Sequence, residues 1–135
     1  MGPDAESEQW VGAVASTLGA PSVVLAKTRL NDREVRVSNA DMNAWRECTP
    51  VLVDDVISTG GTMVETVRSM VKSGMPGPVC VAVHGIFADG AYDQLIAAGC
   101  RRVVTCNTIP NPTSEIDVTA LLAEGVRTLW SEALP

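Results

Sequence analysis

Two adjacent carboxylates, Asp54 and Asp55, end the apolar run "VLVDD", and five small residues, Ser58 to Thr62 ("STGGT"), follow before a helical pattern begins. Neighbouring acids repel each other and add nothing to a core, so a capping need, a cation or a ligand has to justify them. In the loop, Gly60 and Gly61 permit positive φ and close backbone approach, while Ser58, Thr59 and Thr62 add hydroxyl donors. A helix that starts there directs unpaired N–H groups and the positive end of its dipole into the loop. A phosphate suits that cradle. The upstream acids can accept hydrogen bonds from vicinal hydroxyls or face a divalent cation, so a sugar phosphate satisfies both halves together. The plain alternative, an acidic turn followed by a threonine helix cap, accounts for the acids taken alone. No Gly-Lys-Ser/Thr follows, so the loop is not a Walker A motif.

These residues need a scaffold, and the periodicity of the chain supplies one. "PDAESEQWVGAVASTLGA" reads as a helix, with Asp4 as N-cap, Glu6 and Glu8 in the first turn, apolar Trp10, Val11, Val14 and Leu18 at helical spacing, and Gly19 at the end. "SVVLAK" reads as a short buried strand. The polar stretch "TRLNDREVRVSNADMNAWRECTP" reads as a long excursion whose alternating "EVRV" is one arm of a hairpin. Then come strand "VLVDD", a helix from Thr62 closed by Gly74, strand "VCVAVHG", helix "GAYDQLIAAG", strand "RVVTCN", the Pro-rich loop "TIPNPTSE" and a last helix, "DVTALLAEGVRTLWSEAL". Nearly all-apolar strands alternating with helices indicate an α/β fold with a parallel sheet covered on both faces. Such a sheet binds ligands at the carboxyl ends of its strands, where Asp54 and Asp55 lie. The chain opens on a loop and helix, and a strand is expected immediately upstream of Met1.

Composition narrows the class. At 135 residues the chain is one domain with one core, 1–135. Its net charge of −6 argues against a general nucleic-acid surface but leaves room for a small phosphorylated ligand held locally. There is no membrane-length apolar run, and "MGPDAESEQW" lacks the basic and apolar regions of a signal peptide, so a cytoplasmic protein is expected. Cys48, Cys80, Cys100 and Cys106 form no C-x-x-C pair and have only His84 to join them, which favours reduced thiols over a zinc site.

"VLVDDVISTGGT" resembles the ribose-5-phosphate loop shared by type I phosphoribosyltransferases and ribose-phosphate pyrophosphokinases, the PRPP synthetases. The resemblance implies a type I phosphoribosyltransferase-like fold with a flexible hairpin loop. It implies that Asp54 and Asp55 face the ribose, directly or through Mg²⁺, and that Ser58, Thr59, Gly60, Gly61 and Thr62 wrap the 5-phosphate. "LAKTRLNDREVRVS" is similar to the catalytic flexible loop of the synthetases, with Lys27 and Arg29 as its mobile cations. "GPDAESEQWV" resembles their pyrophosphate-side loop, which places Asp4, with Asp55, among the candidate Mg²⁺ ligands. "AVHGIF" and "TCNTIP" followed by "IDVTALLAEGV" look like their C-terminal portion; His84, at a strand end, is read as a structural residue or one supporting the site from behind, rather than a catalytic base. The branch implied is therefore a ribose-phosphate diphosphokinase, converting ATP and ribose 5-phosphate to AMP and PRPP and assembling as a homo-oligomer. The alternatives are a phosphoribosyltransferase that consumes PRPP and a non-catalytic PRPP-binding module. The likeness spans this whole chain but only about the C-terminal half of a synthetase, so the N-terminal half, and with it much of the ATP site, is expected to be absent.

Overall fold

The computed structural model describes residues 1–25, 27–31, 34–37 and 45–133, and for residues 27–31, 34–37, 132 and 133 it describes the backbone. Four parallel strands form the main sheet in sequential order: β3 (Val51–Ile57), β4 (Val79–Gly85), β5 (Arg102–Cys106) and β6 (Ser114–Ile116). A separate antiparallel hairpin pairs β1 (Lys27–Asn31) with β2 (Glu34–Val37), which is the "EVRV" arm. The helices are α1 (Glu8–Thr17), α2 (Gly61–Lys72), α3 (Ala91–Ala97) and α4 (Thr119–Ala133).

Residue type explains the order. Leu52, Cys80, Ala82 and Val103 on the strands are buried against Met63, Val64 and Val67 of α2 and Leu95 of α3. The expected α/β fold with a parallel sheet flanked by helices is the one observed. Apolar residues at helical spacing on α2 and at every second position on the strands leave few other arrangements that empty water from both surfaces.

Several elements differ from the sequence reading. β3 does not stop at the acids: Val56 and Ile57 pair with His84 and Gly85, so Asp54 and Asp55 lie within the strand. Two further β-branched residues keep the chain extended after the acidic pair. Of "SVVLAK", Val24 forms a single parallel bridge to Gly2, Leu25 is fully buried, and Lys27 already begins β1. The Pro-rich loop contains a short strand, β6, that no alternation signals. It is set by Asn111, whose Oδ1 accepts from the N–H (2.8 Å) and hydroxyl (2.6 Å) of Thr113 while its Nδ2 donates to Gly85 C=O at 3.2 Å. Asp4 caps a 3-10 turn, Ala5–Ser7, ahead of α1, accepting from the N–H groups of Glu6 and Ser7.

Candidate functional site

The site is assembled at the carboxyl end of β3. The two acids, adjacent in sequence, differ in exposure although their side chains still interact. Asp54 is half-buried in a cleft of about 290 Å³ lined by Asp4, Asp54, Val56 and residues 57–63. Asp55 is exposed and is not among the lining residues. The cation pair expected from the sequence is thus divided: Asp4 lines the cleft, and its carboxylate neighbour there is Asp54. Ser58, Thr59, Gly60, Gly61 and Thr62 all line the cleft as one contiguous arc. Lys27 and Arg29 sit on β1, their backbones opposite Val37 and Val35, and their side chains lie outside what is described. Residues 26, 32–33 and 38 of the expected flexible loop, and 39–44 of the polar excursion, lie outside the described residues as well.

Each glycine of the loop has its own reason. Gly60 is left-handed, φ 71°, and a Cβ there would come within 3.0 Å of Ala91 Cβ at the start of α3. Turn geometry and packing both exclude a side chain. Gly61 has ordinary φ, and a Cβ built on it would meet nothing within 4 Å. The fold makes no demand for glycine at 61; open space over that backbone is what a closely approaching ligand needs. Gly60 C=O accepts the first helical bond, from Val64 N–H at 2.8 Å, and as N-cap Gly60 supplies no side-chain acceptor to the first turn of α2. The amino end of α2 thereby faces the cleft without a side-chain cap.

The loop is held from below. Ile57 C=O accepts from both Ile86 and Phe87 N–H at 3.0 Å, tying the β4–α3 connection under the cradle. Phe87 is held at φ 53°, a left-handed conformation rare for so bulky a residue, and its ring meets Tyr92 edge-on at 5.8 Å. His84, opposite Val56, bonds through Nδ1 to Thr108 Oγ1 at 2.9 Å, and that hydroxyl donates its proton to Val83 C=O at 2.8 Å. Nδ1 must then be the donor, so His84 pins the β5–β6 connection to β4, the structural role expected of it.

Electrostatics mark Asp54. Burial, together with the negative charges of Asp55 and Asp4, pushes its carboxyl up to about 6 from the usual 3.8, even though Asp55 N–H donates to it at 3.0 Å. A carboxylate in that position gains from a cation or from hydroxyl donors. Among the described residues no group of three or more His, Cys, Asp or Glu side chains could hold a metal ion by itself. The donor set fits Mg²⁺ in the way that ion is commonly bound: one or two carboxylate oxygens, the remainder water and substrate phosphate. Sequence reasoning missed Val56, Ile57 and Met63 as cleft residues and missed the pairing of Asp4 with Asp54; the period-2 pattern of β3 was the available signal for the second.

Comparison with known proteins bears on this architecture. The family model described as "Phosphoribosyl transferase domain" matches residues 1–121. The chain is 36% identical over 119 residues to a protein named ribose-phosphate pyrophosphokinase from Sulfurisphaera tokodaii, covering 87% of this chain and 41% of that protein. It is 37% identical over 119 residues to the protein of the same name from Sulfolobus acidocaldarius, with the same coverages. Among solved structures it resembles phosphoribosylpyrophosphate synthetase from Mycobacterium smegmatis, with a TM-score of 0.73 and 26% identity over 98% of this chain and 44% of that one. The chain thus spans about two fifths of the length of these relatives. Sheet order, loop and family model agree, and the chain belongs to the phosphoribosyl transferase domain family.

Proposed function

We propose that this chain is the ribose-5-phosphate- and PRPP-binding domain of a ribose-phosphate diphosphokinase, whose whole reaction is ATP plus ribose 5-phosphate to AMP plus PRPP. One observation carries the reading: residues 58–62 and the carboxylate of Asp54 line the same small cleft at the end of a parallel strand. The loop N–H groups and hydroxyls bind the 5-phosphate, and Asp54 accepts from a ribose hydroxyl or faces the cation. Asp55, beside it, accepts further hydrogen bonds from ribose hydroxyls. Asp4 with Asp54 or Asp55 would hold Mg²⁺ alongside the substrate phosphates, where the ion would supply neutralisation of phosphate charge. In the transfer, the ribose 1-hydroxyl oxygen bonds to the β-phosphorus of ATP, the bond from that phosphorus to the α-phosphate oxygen breaks, and AMP leaves. Lys27 and Arg29 close over the transferring group and stabilise charge that grows in the transition state. The two archaeal relatives, both ribose-phosphate pyrophosphokinases by name, support this branch over a salvage transferase. The ATP side of the site and assembly into a homo-oligomer belong to the longer protein, in a cytoplasmic setting; among the described residues no helix is long and apolar enough to cross a membrane.

Calorimetric titration of the chain with ribose 5-phosphate and with PRPP, each with and without Mg²⁺, tests the binding. Saturable binding of both, tightened by Mg²⁺ and weakened about tenfold or more in Gly61→Ala, is expected. No binding of either ligand refutes the reading. Release of AMP from ATP plus ribose 5-phosphate separates a catalytic chain from a binding module.

A further inference from the structure

Past Ala82, β4 loses its backbone neighbour on one side. Its pairing with β5 ends at Ala82 opposite Thr105, whereas its pairing with β3 runs on to Gly85 opposite Ile57. The last stretch of β4 therefore carries the last stretch of β3, which leads into the loop 58–62, with no strand paired on its far side among the described residues. Carbonyls of alternate residues point to the same side of a strand. Two of them, Val83 C=O and Gly85 C=O, are met by side chains of the β5–β6 connection instead of by a strand. Thr108 Oγ1 donates to the first at 2.8 Å and Asn111 Nδ2 to the second at 3.2 Å.

The Asn111 amide is fixed on every side. Nδ2 spends its other proton on Ile109 C=O at 2.8 Å, and Oδ1 accepts from the N–H (2.8 Å) and hydroxyl (2.6 Å) of Thr113. Thr113 is tied in turn to β5: its hydroxyl lies 2.9 Å from Thr105 Oγ1, and its C=O accepts from Thr105 N–H at 2.8 Å. Both donors and both acceptor sites of the amide are thus used, which leaves it one orientation. Gly85 is the joint. A Cβ there would come within 2.6 Å of Phe87 Cε2, 2.9 Å of Thr105 Cγ2 and 3.1 Å of Asn111 Nδ2. From this joint two contacts reach the loop: the Ile86 and Phe87 N–H groups on Ile57 C=O, and Ala91 against Gly60.

We infer that Asn111 is a positioning residue for the sugar phosphate: through Gly85 and Ile57 it sets where residues 58–62 present their N–H groups, although it lines no part of the cleft. The inference rests on the sugar-phosphate reading of that cleft. Donors aimed at a phosphate must be held within about 0.5 Å of the productive geometry by the groups behind them. Removing the Asn111 amide leaves Gly85 C=O without this donor and frees the β4–α3 connection to shift, and Ile57 and Gly60 shift with it. The Thr113 hydroxyl belongs to the same network, and its bonds run to Asn111 and Thr105 rather than to β4. That difference supplies a control which loosens the connection without cutting the path to the loop.

Three measurements on Asn111→Ala and Thr113→Val test it: urea denaturation, calorimetric titration with ribose 5-phosphate plus Mg²⁺, and the backbone amide NMR signals of Gly60 and Gly61 in the free chain. Both substitutions are expected to lower stability. Asn111→Ala should also weaken ribose-5-phosphate binding by about tenfold and move the two glycine signals. Thr113→Val keeps the Thr113 N–H on Asn111 Oδ1, so it should hold affinity within about twofold and leave those signals in place. Unchanged affinity in Asn111→Ala, or an equal loss in both chains, overturns the proposal, because the amide then secures only its own loop. If the unsubstituted chain binds no ribose 5-phosphate, the reading of the cleft fails by itself and the glycine signals decide alone. Movement confined to Asn111→Ala upholds the positioning role; signals that stay put, or that move in both chains, overturn it. Should Asn111→Ala not fold, Asn111→Ser takes its place, since its hydroxyl can still accept from Thr113 N–H but is too short to reach Gly85 C=O.

Discussion

Replacing Asp54 by asparagine separates what the fold wants at the end of β3 from what a ligand wants. In the folded chain the carboxyl is pushed up to about 6 by burial and by Asp55 and Asp4, against 3.8 ordinarily. That displacement corresponds to about 3 kcal/mol of preference for the neutral acid. Asp54 is only half-buried, so solvent screening brings the effective cost of the ionised form to about 1.5 kcal/mol. The sign follows from proton linkage. Between about 4 and 6 the folded chain holds a proton that the unfolded chain has lost, so this group's contribution to stability falls as pH rises through that window and is flat above it. The substituted amide keeps an oxygen that can accept from Asp55 N–H and carries no charge. Asp54→Asn is therefore expected to raise unfolding stability at pH 7 by about 1.5 kcal/mol and to leave it unchanged near pH 3. Urea denaturation of both chains at half-unit steps from pH 3 to 8 measures this. The same substitution should weaken Mg²⁺-dependent binding of ribose 5-phosphate, and in the unsubstituted chain that binding should fade as pH drops through about 6. If both chains show the same stability profile across pH 4 to 6, Asp54 is not the burdened acid and the electrostatic argument for the cleft fails.

The two loop glycines should part company. Gly60→Ala forces a side chain into φ 71° against Ala91 and should cost about 1–2 kcal/mol in denaturation, whereas Gly61→Ala should keep or slightly raise stability while lowering ribose-5-phosphate affinity by about tenfold or more in calorimetry. Asn111→Ala should destabilise by about 2 kcal/mol, because it removes acceptors from Thr113 and a donor from Gly85 C=O together, as read by thermal or urea unfolding. Of the four thiols, Cys48 is exposed and Cys80, Cys100 and Cys106 are buried, so a thiol reagent should titrate one rapidly in the native chain and four after denaturation. In a longer protein with the ATP side complete, Lys27→Ala should lower turnover by orders of magnitude and leave ribose-5-phosphate affinity little changed; equal losses in both would make the loop a binding element only.

Local chemistry made much of this protein legible in its sequence. "VCVAVHG" is β4 to the residue, "EVRV" is β2, and Gly60, Gly74, Gly90 and Gly99 mark left-handed turns at the ends of helices, since hydrophobic periodicity and glycine placement act within a few residues. The cleft-lining loop was equally readable, because a strand, a small-residue loop and a helix that follow one another in sequence also adjoin in space. What sequence order could not show depends on distant segments. Asp4 meets Asp54 only because Met1 and Gly2 enter the sheet beside β3. Which of two consecutive acids faces the cleft is decided by the pleat of β3, whose phase comes from its pairing with β4. β6 exists because Asn111 gathers the loop against the end of β4. The division has one physical cause: backbone propensity and patterning act between near neighbours, whereas a carboxylate's charge state and a strand's register are set by whatever the completed sheet brings beside them.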